Sequence, residues 1–261
     1  MRSGTWLRRH AAEGGQTVAR LVCFPHAGGT AAAFQGWPAR LPAGVETLVV
    51  QYPGRQDRIS EPCIEDMTEM ADRVTAVLRD CCDVPLAFFG HSMGSGLAYE
   101  VARRLERDHG TVVSRLFVSS RTAPHHVHGE KRHLLSDEDL VASMRALGGP
   151  DAEVYDHPQL LPLILPPLRA DLRLLDAYRP ERAALPRIQA PVTACGGDSD
   201  HTCPTADLAL WEELTTAGAE VRIHPGGHHF LRTHEADVTD MVSKHLLTLV
   251  QTRGDTTDGP S

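Results

Sequence analysis

The stretch FFGHSMGSG, residues 88–96, constrains this chain more than any other. It contains Gly-x-Ser-x-Gly as Gly90-His91-Ser92-Met93-Gly94. The pattern is common, and its surroundings carry the information. VPLAFFG (84–90) ahead of it reads as a buried strand, and GSGLAYEVARRLERDHG behind it reads as a helix ended by Gly110. A serine flanked by glycines between such a strand and such a helix fits a sharp turn in which the two elements pass close together. That turn lifts the hydroxyl above the sheet edge and aims a helix N-terminus at it. The plain alternative is a glycine-rich turn with an incidental serine, and the strand–motif–helix order argues against it.

The same rhythm runs through most of the chain. Near-continuous apolar runs at 18–24, 45–52, 111–120, 190–197 and 219–225 read as strands. Helical patterns alternate with them at 65–82, 204–218 and 235–251. In the first of these helices, Met67, Met70, Ala71, Val74, Val77 and Leu78 fall on one face. Such alternation predicts an α/β fold with a mostly parallel central sheet and helices on both faces. Residues 1–122 and 186–250 form its two parts. From 123 to 185 no strand pattern occurs, which predicts a helical lid insertion. Ser136 and Asp139 have capping-box spacing there, ahead of a helix ended by Gly148. Pro158, Pro162, Pro166 and Pro167 are expected to cut the first half of 157–178 into short pieces. Residues 251–261 have little to bury and read as a disordered tail.

Composition excludes some functions. The 261 residues suffice for one large domain. A formal charge of −8, from 26 basic and 34 acidic residues, argues against nucleic-acid binding by bulk charge. No apolar run approaches the ~20 residues of a membrane helix. MRSGTWLRRHAAEGGQ lacks the apolar stretch of a secretory signal, and the six cysteines form no C-x-x-C pair. A cytoplasmic protein with reduced thiols is expected.

A serine hydroxyl needs a base, and in folds with this turn the chain order is serine, acid, histidine. Fifteen histidines make a histidine as such uninformative. Those placed usefully are His228 and His229, in the glycine-rich loop HPGGHHF after the last strand. The acid should follow the preceding strand, where GGDSDHTCP offers both Asp198 and Asp200. One oxyanion donor would be the backbone N–H of Met93, and the second would come from the loop CFPHAGG after an early strand.

Several blocks, in order, resemble the type II thioesterases of polyketide and nonribosomal-peptide assembly lines. They are WLRR, LVCFPHAGGTAAAF, QYPGRQDR, FFGHSMGSGLAYEVARRL, LPPLRADLRLLDAY and PGGHHFL, spread over nearly the whole chain. The resemblance implies an α/β-hydrolase fold with a helical lid. It implies hydrolysis of acyl groups from the phosphopantetheine arm of acyl or peptidyl carrier proteins, mostly to clear stalled or misprimed chains. Carried over, it makes Ser92 the nucleophile, His228 the histidine and Asp200, in Gly197-x-x-Asp200, the acid. It makes the N–H groups of Ala27 and Met93 the oxyanion donors. His229 departs from it, standing where that family usually has an aromatic residue, and His201 replaces the usual short turn residue. No cofactor, metal, nucleic acid or membrane is implied, and a monomer is favoured.

The same build could release a finished product in trans, act on general medium-chain acyl thioesters or esters, or persist as a non-catalytic interaction protein. The intact Ser–Asp–His order argues against the last. Leu160, Leu161, Leu163, Ile164 and Leu165 are candidates to cover an acyl channel, or else simply to pack the lid. His125, His126 and His128 lack an acidic or cysteine partner at ligand spacing, so a polar loop is expected rather than a metal site. Arg55 and Arg58 are open between contacting a phosphopantetheine or acidic carrier and a structural role.

Overall fold

Strands buried on both faces must supply apolar side chains to both, so their sequences run apolar without a break. The computed structural model, which describes residues 3–127, 129, 131–148 and 152–257, shows this arrangement. Seven strands form one sheet in the order β1-β3-β2-β4-β5-β6-β7. They are β1 Leu7–His10, β2 Ala19–Phe24, β3 Val45–Val50, β4 Leu86–His91, β5 Arg115–Ser119, β6 Val192–Gly197 and β7 Ala219–His224. Only β1 runs antiparallel to its neighbour. The α-helices are α1 Ser3–Trp6, α2 Met67–Leu78, α3 Met93–His109, α4 Asp137–Leu147, α5 Leu161–Ala177, α6 Phe230–Thr233 and α7 Glu235–Thr257.

Alternate strand residues feed two cores. Leu21, Cys23, Val49, Phe89 and Phe117 pack with Val238, Val242 and Leu246 of α7. Their sequence neighbours Val22, Phe24, Leu48, Phe88 and Leu116 pack on the opposite face with Met70 and Val74 of α2 and Leu97 and Val101 of α3. The helix ends follow ordinary capping chemistry. Asp66 accepts from the Glu69 N–H and Ser136 from the Asp139 N–H, while Gly110 and Gly148 close α3 and α4 in the left-handed region. Between β5 and β6 the described residues form no strand and hold α4, α5 and short 3-10 turns. No helix among the described residues is long and apolar enough to cross a membrane. All six cysteines are free.

The structure departs from the sequence expectations in four places. The sequence pattern leaves β1 unassigned. It is a short edge strand whose Arg8 and Arg9 point to Asp57 and Glu46, so it shows no apolar run. The helix expected at 204–218 is a 3-10 helix, Thr205–Leu214, because its buried residues Leu208, Trp211 and Leu214 recur every third position. Pro158 lies in a turn ahead of the helix, but the other prolines do not break 161–177. Pro162 sits in the first turn of α5, where its missing N–H costs nothing, and the helix continues through Pro166 and Pro167. Burial of Leu165, Pro167, Leu168, Leu172 and Leu174 offsets the two lost hydrogen bonds. Finally, α7 runs on to Thr257, into the span read as disordered tail, and residues 258–261 lie outside the described residues.

α3 leaves β4 through a close passage. A Cβ on Gly94 would overlap the carbonyl oxygen of Phe24, and one on Gly90 would overlap backbone atoms of Gly94 and Ser95. A Cβ on Gly96, by contrast, would have Met67 Cε at 3.8 Å as its nearest neighbour. Gly94→Ala is therefore expected to destabilise by ~3 kcal/mol or more, the upper end of overpacking costs. For a chain of this size, that lowers the melting temperature by roughly 6–12 °C. Gly96→Ala should leave it unchanged or raise it, by up to about 1 kcal/mol of helix propensity. Differential scanning calorimetry of the two variants tests the contrast.

Candidate active site

Ser92 lies between the end of β4 and the start of α3 with φ 53° and ψ −116°, a conformation that costs any non-glycine residue energy. The surrounding hydrogen bonds hold it there. The Ser92 N–H donates to the Ser119 carbonyl at 2.8 Å. Ser95 Oγ donates to the Gly90 carbonyl at 2.9 Å and accepts from the Ser119 N–H at 3.0 Å. This tie of β4, β5 and the helix start through Ser95 has no signature in the sequence beyond a small polar residue in a glycine-rich turn.

The loops after β6 and β7 bring the other groups to the serine. His228 Nε2 is 2.9 Å from Ser92 Oγ, and His228 Nδ1 is 2.9 Å from Asp200 Oδ2. The second oxygen of Asp200 accepts from the Thr202 N–H at 2.9 Å and from Thr202 Oγ1 at 2.8 Å. The Asp200 side chain is fully buried. Burial alone would raise its carboxyl, but the bond and charge of His228 and the Thr202 bonds outweigh it and hold the group below its usual value. Ser120 Oγ donates to the His228 carbonyl at 2.8 Å and fixes that loop. Asp198 does not reach the histidine. It accepts from the Gly226 N–H at 3.0 Å and from Ser199 Oγ at 2.8 Å, bracing the glycine turn. Neither Thr202 nor Ser120 is singled out by the sequence pattern, although a threonine two residues after an aspartate is a familiar turn pairing.

Ala27, in the loop after β2, lines one cavity together with Ser92 and His228. Met93 is the first residue of α3, so its N–H has no acceptor within the helix. The early loop is clamped from an unexpected direction. Asp171 of α5 is fully buried; it accepts from the Gly28 N–H at 2.7 Å and pairs with both terminal nitrogens of Arg55, at 2.6 and 2.8 Å. Arg55 also donates to the Gly29 carbonyl at 3.2 Å, and Tyr52 to that of Pro25 at 3.0 Å. The cavity measures about 290 Å³, and Met144 and Leu147 of α4 and Leu172 and Leu175 of α5 form much of its apolar wall.

The Thioesterase domain family matches residues 19–246 of the chain. The chain belongs to the thioesterase family. Thioesterase PikA5 of Streptomyces venezuelae is 40% identical to it over 247 residues, spanning 94% of this chain and 86% of the relative. The gramicidin S biosynthesis protein GrsT of Aneurinibacillus migulanus is 32% identical over 228 residues, spanning 87% and 88%. The solved type II thioesterase BorB from the borrelidin biosynthetic cluster superposes with a TM-score of 0.86 at 38% identity, covering 94% of this chain and 99% of BorB. The α/β-hydrolase fold implied by the resemblance is thus the fold observed.

The structure decides two readings that the sequence of this thioesterase-family chain left open and alters a third. Leu160, Leu161, Leu163, Ile164 and Leu165 do not line the cavity, because the face of α5 turned to it lies farther along the helix, at Leu172 and Leu175. Arg55 and Arg58 are buried structural groups, Arg58 bonding Glu61 and the Gln51 carbonyl and lying 4.1 Å over the Trp6 ring. His125 and His126 do gain an acidic neighbour, since the fold brings Glu213 to 3.1 and 4.0 Å from them; His128 lies outside the described residues.

Asp171→Asn keeps an acceptor for Gly28 but leaves Arg55 charged, buried and unpaired. It is expected to cost about 3–5 kcal/mol, as for other broken buried pairs. Urea denaturation of the variant beside the unchanged chain measures the loss.

Proposed function

We propose that this chain hydrolyses acyl thioesters held on the phosphopantetheine arm of acyl or peptidyl carrier proteins. In this reading it serves a polyketide or nonribosomal-peptide synthase, and its main task is to remove aberrant or stalled acyl chains. The observation that carries the chemistry is the unbroken run of 2.9 Å contacts from Ser92 Oγ through His228 to Asp200. Support for the pathway comes from relatives named for biosynthesis, GrsT of gramicidin S and BorB of the borrelidin cluster.

His228 Nε2 takes the Ser92 proton as Oγ attacks the thioester carbonyl. Asp200 holds the ring through Nδ1 and stabilises the imidazolium that forms. The N–H groups of Ala27 and Met93 receive the oxyanion, each such donor contributing about 3–4 kcal/mol in the transition state. The tetrahedral adduct then collapses, the C–S bond breaks, and His228 returns the proton to the leaving thiol. With a thiol pKa near ~8.5, this departure demands less help than that of an alcohol. Water, deprotonated by His228, attacks the acyl-serine, and collapse of the second adduct frees the acid and restores Ser92.

Helices α4 and α5 serve as the lid over the acyl group. A cavity of about 290 Å³ lies at the small end of ligand pockets, roughly 300–1,000 Å³, which favours short acyl chains over a finished product. Editing is the reading that fits this size.

Ser92→Ala should abolish hydrolysis of acyl-carrier thioesters, and a wild-type rate in that variant would sink the serine mechanism. Asp200→Asn should lower kcat by up to about 10⁴-fold. Asp198→Asn should do far less, because its carboxylate braces a turn. Steady-state kinetics on one acyl-carrier substrate ranks the three. A second comparison, of kcat/KM on carriers bearing short acyl groups and on carriers bearing full-length product, should favour the short ones; a preference for product would indicate release instead of editing.

A further inference from the structure

Behind the serine, His26, His91, His228 and His229 form a cluster of imidazoles with ring centroids 5.0–5.8 Å apart between neighbours. The mechanism uses only His228. His91 Nε2 lies 3.4 Å from His229 Nδ1. One ring nitrogen from each of His91, His228 and His229 falls within 4.8 Å of the other two. Two nitrogens bound tetrahedrally to zinc at ~2.0–2.1 Å lie about 3.3–3.4 Å apart, so the first two are already at ligand spacing.

Hydrogen bonds at the other ring nitrogens fix how His91 and His228 face the cluster. His91 Nδ1 meets Ser119 Oγ at 3.0 Å and His228 Nδ1 meets Asp200 at 2.9 Å. With N–H at both Nδ1 positions, each Nε2 is an acceptor: that of His91 takes the Nδ1–H of His229 at 3.4 Å and that of His228 the Ser92 hydroxyl at 2.9 Å, so a bound ion replaces both protons, His229 then carrying its own on Nε2. A second cavity of about 290 Å³, walled by Thr30, Phe34, Trp37, His91 and His229, reaches the cluster from the side away from the lid helices.

We propose that His91, His228 and His229 form an inhibitory site for a zinc-like divalent cation, with Ser92 Oγ or a water as fourth ligand. The ion takes the Nε2 lone pair of His228, which the reaction needs to accept the Ser92 proton, so occupancy stops catalysis at the Ser92 end of the acyl cavity. The other histidine group, His125 and His126 with Glu213, is the natural competitor. It is weaker, because Glu213 also meets Arg182 at 3.5 Å and His126 is exposed.

The test uses the chelator-stripped chain with Co²⁺ as a spectroscopic probe and Zn²⁺ as competitor. One Co²⁺ per chain is expected, with the visible absorption of a tetrahedral site, displaced by Zn²⁺. Hydrolysis, referred to each variant's own zinc-free rate, should fall with Zn²⁺ and return on chelation. His229→Phe preserves ring volume and should raise the half-inhibiting zinc concentration at least about 10-fold, the lower bound for losing even an outer-shell partner. It should also remove the cobalt band. His229→Gln provides a second variant, and a melting curve checks that each is folded. The paired change His125→Ala with His126→Ala should leave band and midpoint unchanged. A wild-type band and midpoint in a folded His229 variant would overturn the proposal, as would their loss in the paired variant. The cobalt readout does not depend on the substrate, so its failure is distinguishable from failure of the thioesterase reading.

Discussion

One buried carboxylate joins the parts of this molecule that have to act together. Asp171 sits on α5, in the segment inserted between β5 and β6, yet its oxygens are spent on the Gly28 N–H and the Arg55 guanidinium. An ionised pair out of water persists only where geometry and further hydrogen bonds compensate its desolvation. Here the compensation comes from two loops of the sheet domain. The helix over the cavity and the loop carrying Ala27 are therefore one mechanical unit. Displacing α5 would strip the partner from Arg55 and release Gly28.

The serine turn is the second fixed point, and its strain is held from outside. A left-handed φ at Ser92 is unfavourable by itself, and persists because β4, β5 and α3 are locked around it through Ser95 and Ser119. The glycines at 90 and 94 are there for contact, since neither side has room for a Cβ. The Asp200 and His228 loops then arrive at a hydroxyl whose position is already set. In the proposed reaction these groups need no rearrangement before proton transfer.

Much of this was legible in the residues. Continuous apolar runs imply strands buried on both faces, and the Gly-x-Ser-x-Gly between strand and helix implies the turn, because only local sterics decide it. The loops holding Asp200 and His228 were placed by their position after particular strands. What was not legible follows from partners distant in sequence. β1 is an edge strand stabilised by pairing and by salt bridges, and neither leaves a period in its four residues. The prolines of α5 look like breaks until the burial of that helix is counted, since propensity is a weak prior against packing. Asp171 reads as a charge on a helix; nothing near it announces Arg55, 116 positions away.

The sequence by itself determined the α/β order, the serine turn and the two loops from which the acid and histidine come. Those features depend on hydrophobic period, glycine sterics and chain order, which are local. The family pattern already pointed to Asp200, and the tertiary structure turns Asp200 to His228 while Asp198 braces the Gly226 turn. It also turned Leu172 and Leu175 toward the cavity in place of the earlier leucines, and gathered four histidines from two loops and a strand end behind Ser92. Each depends on which way a side chain points once distant segments pack. A pattern along one chain does not encode that direction, because the opposing surface that selects it comes from elsewhere in the fold.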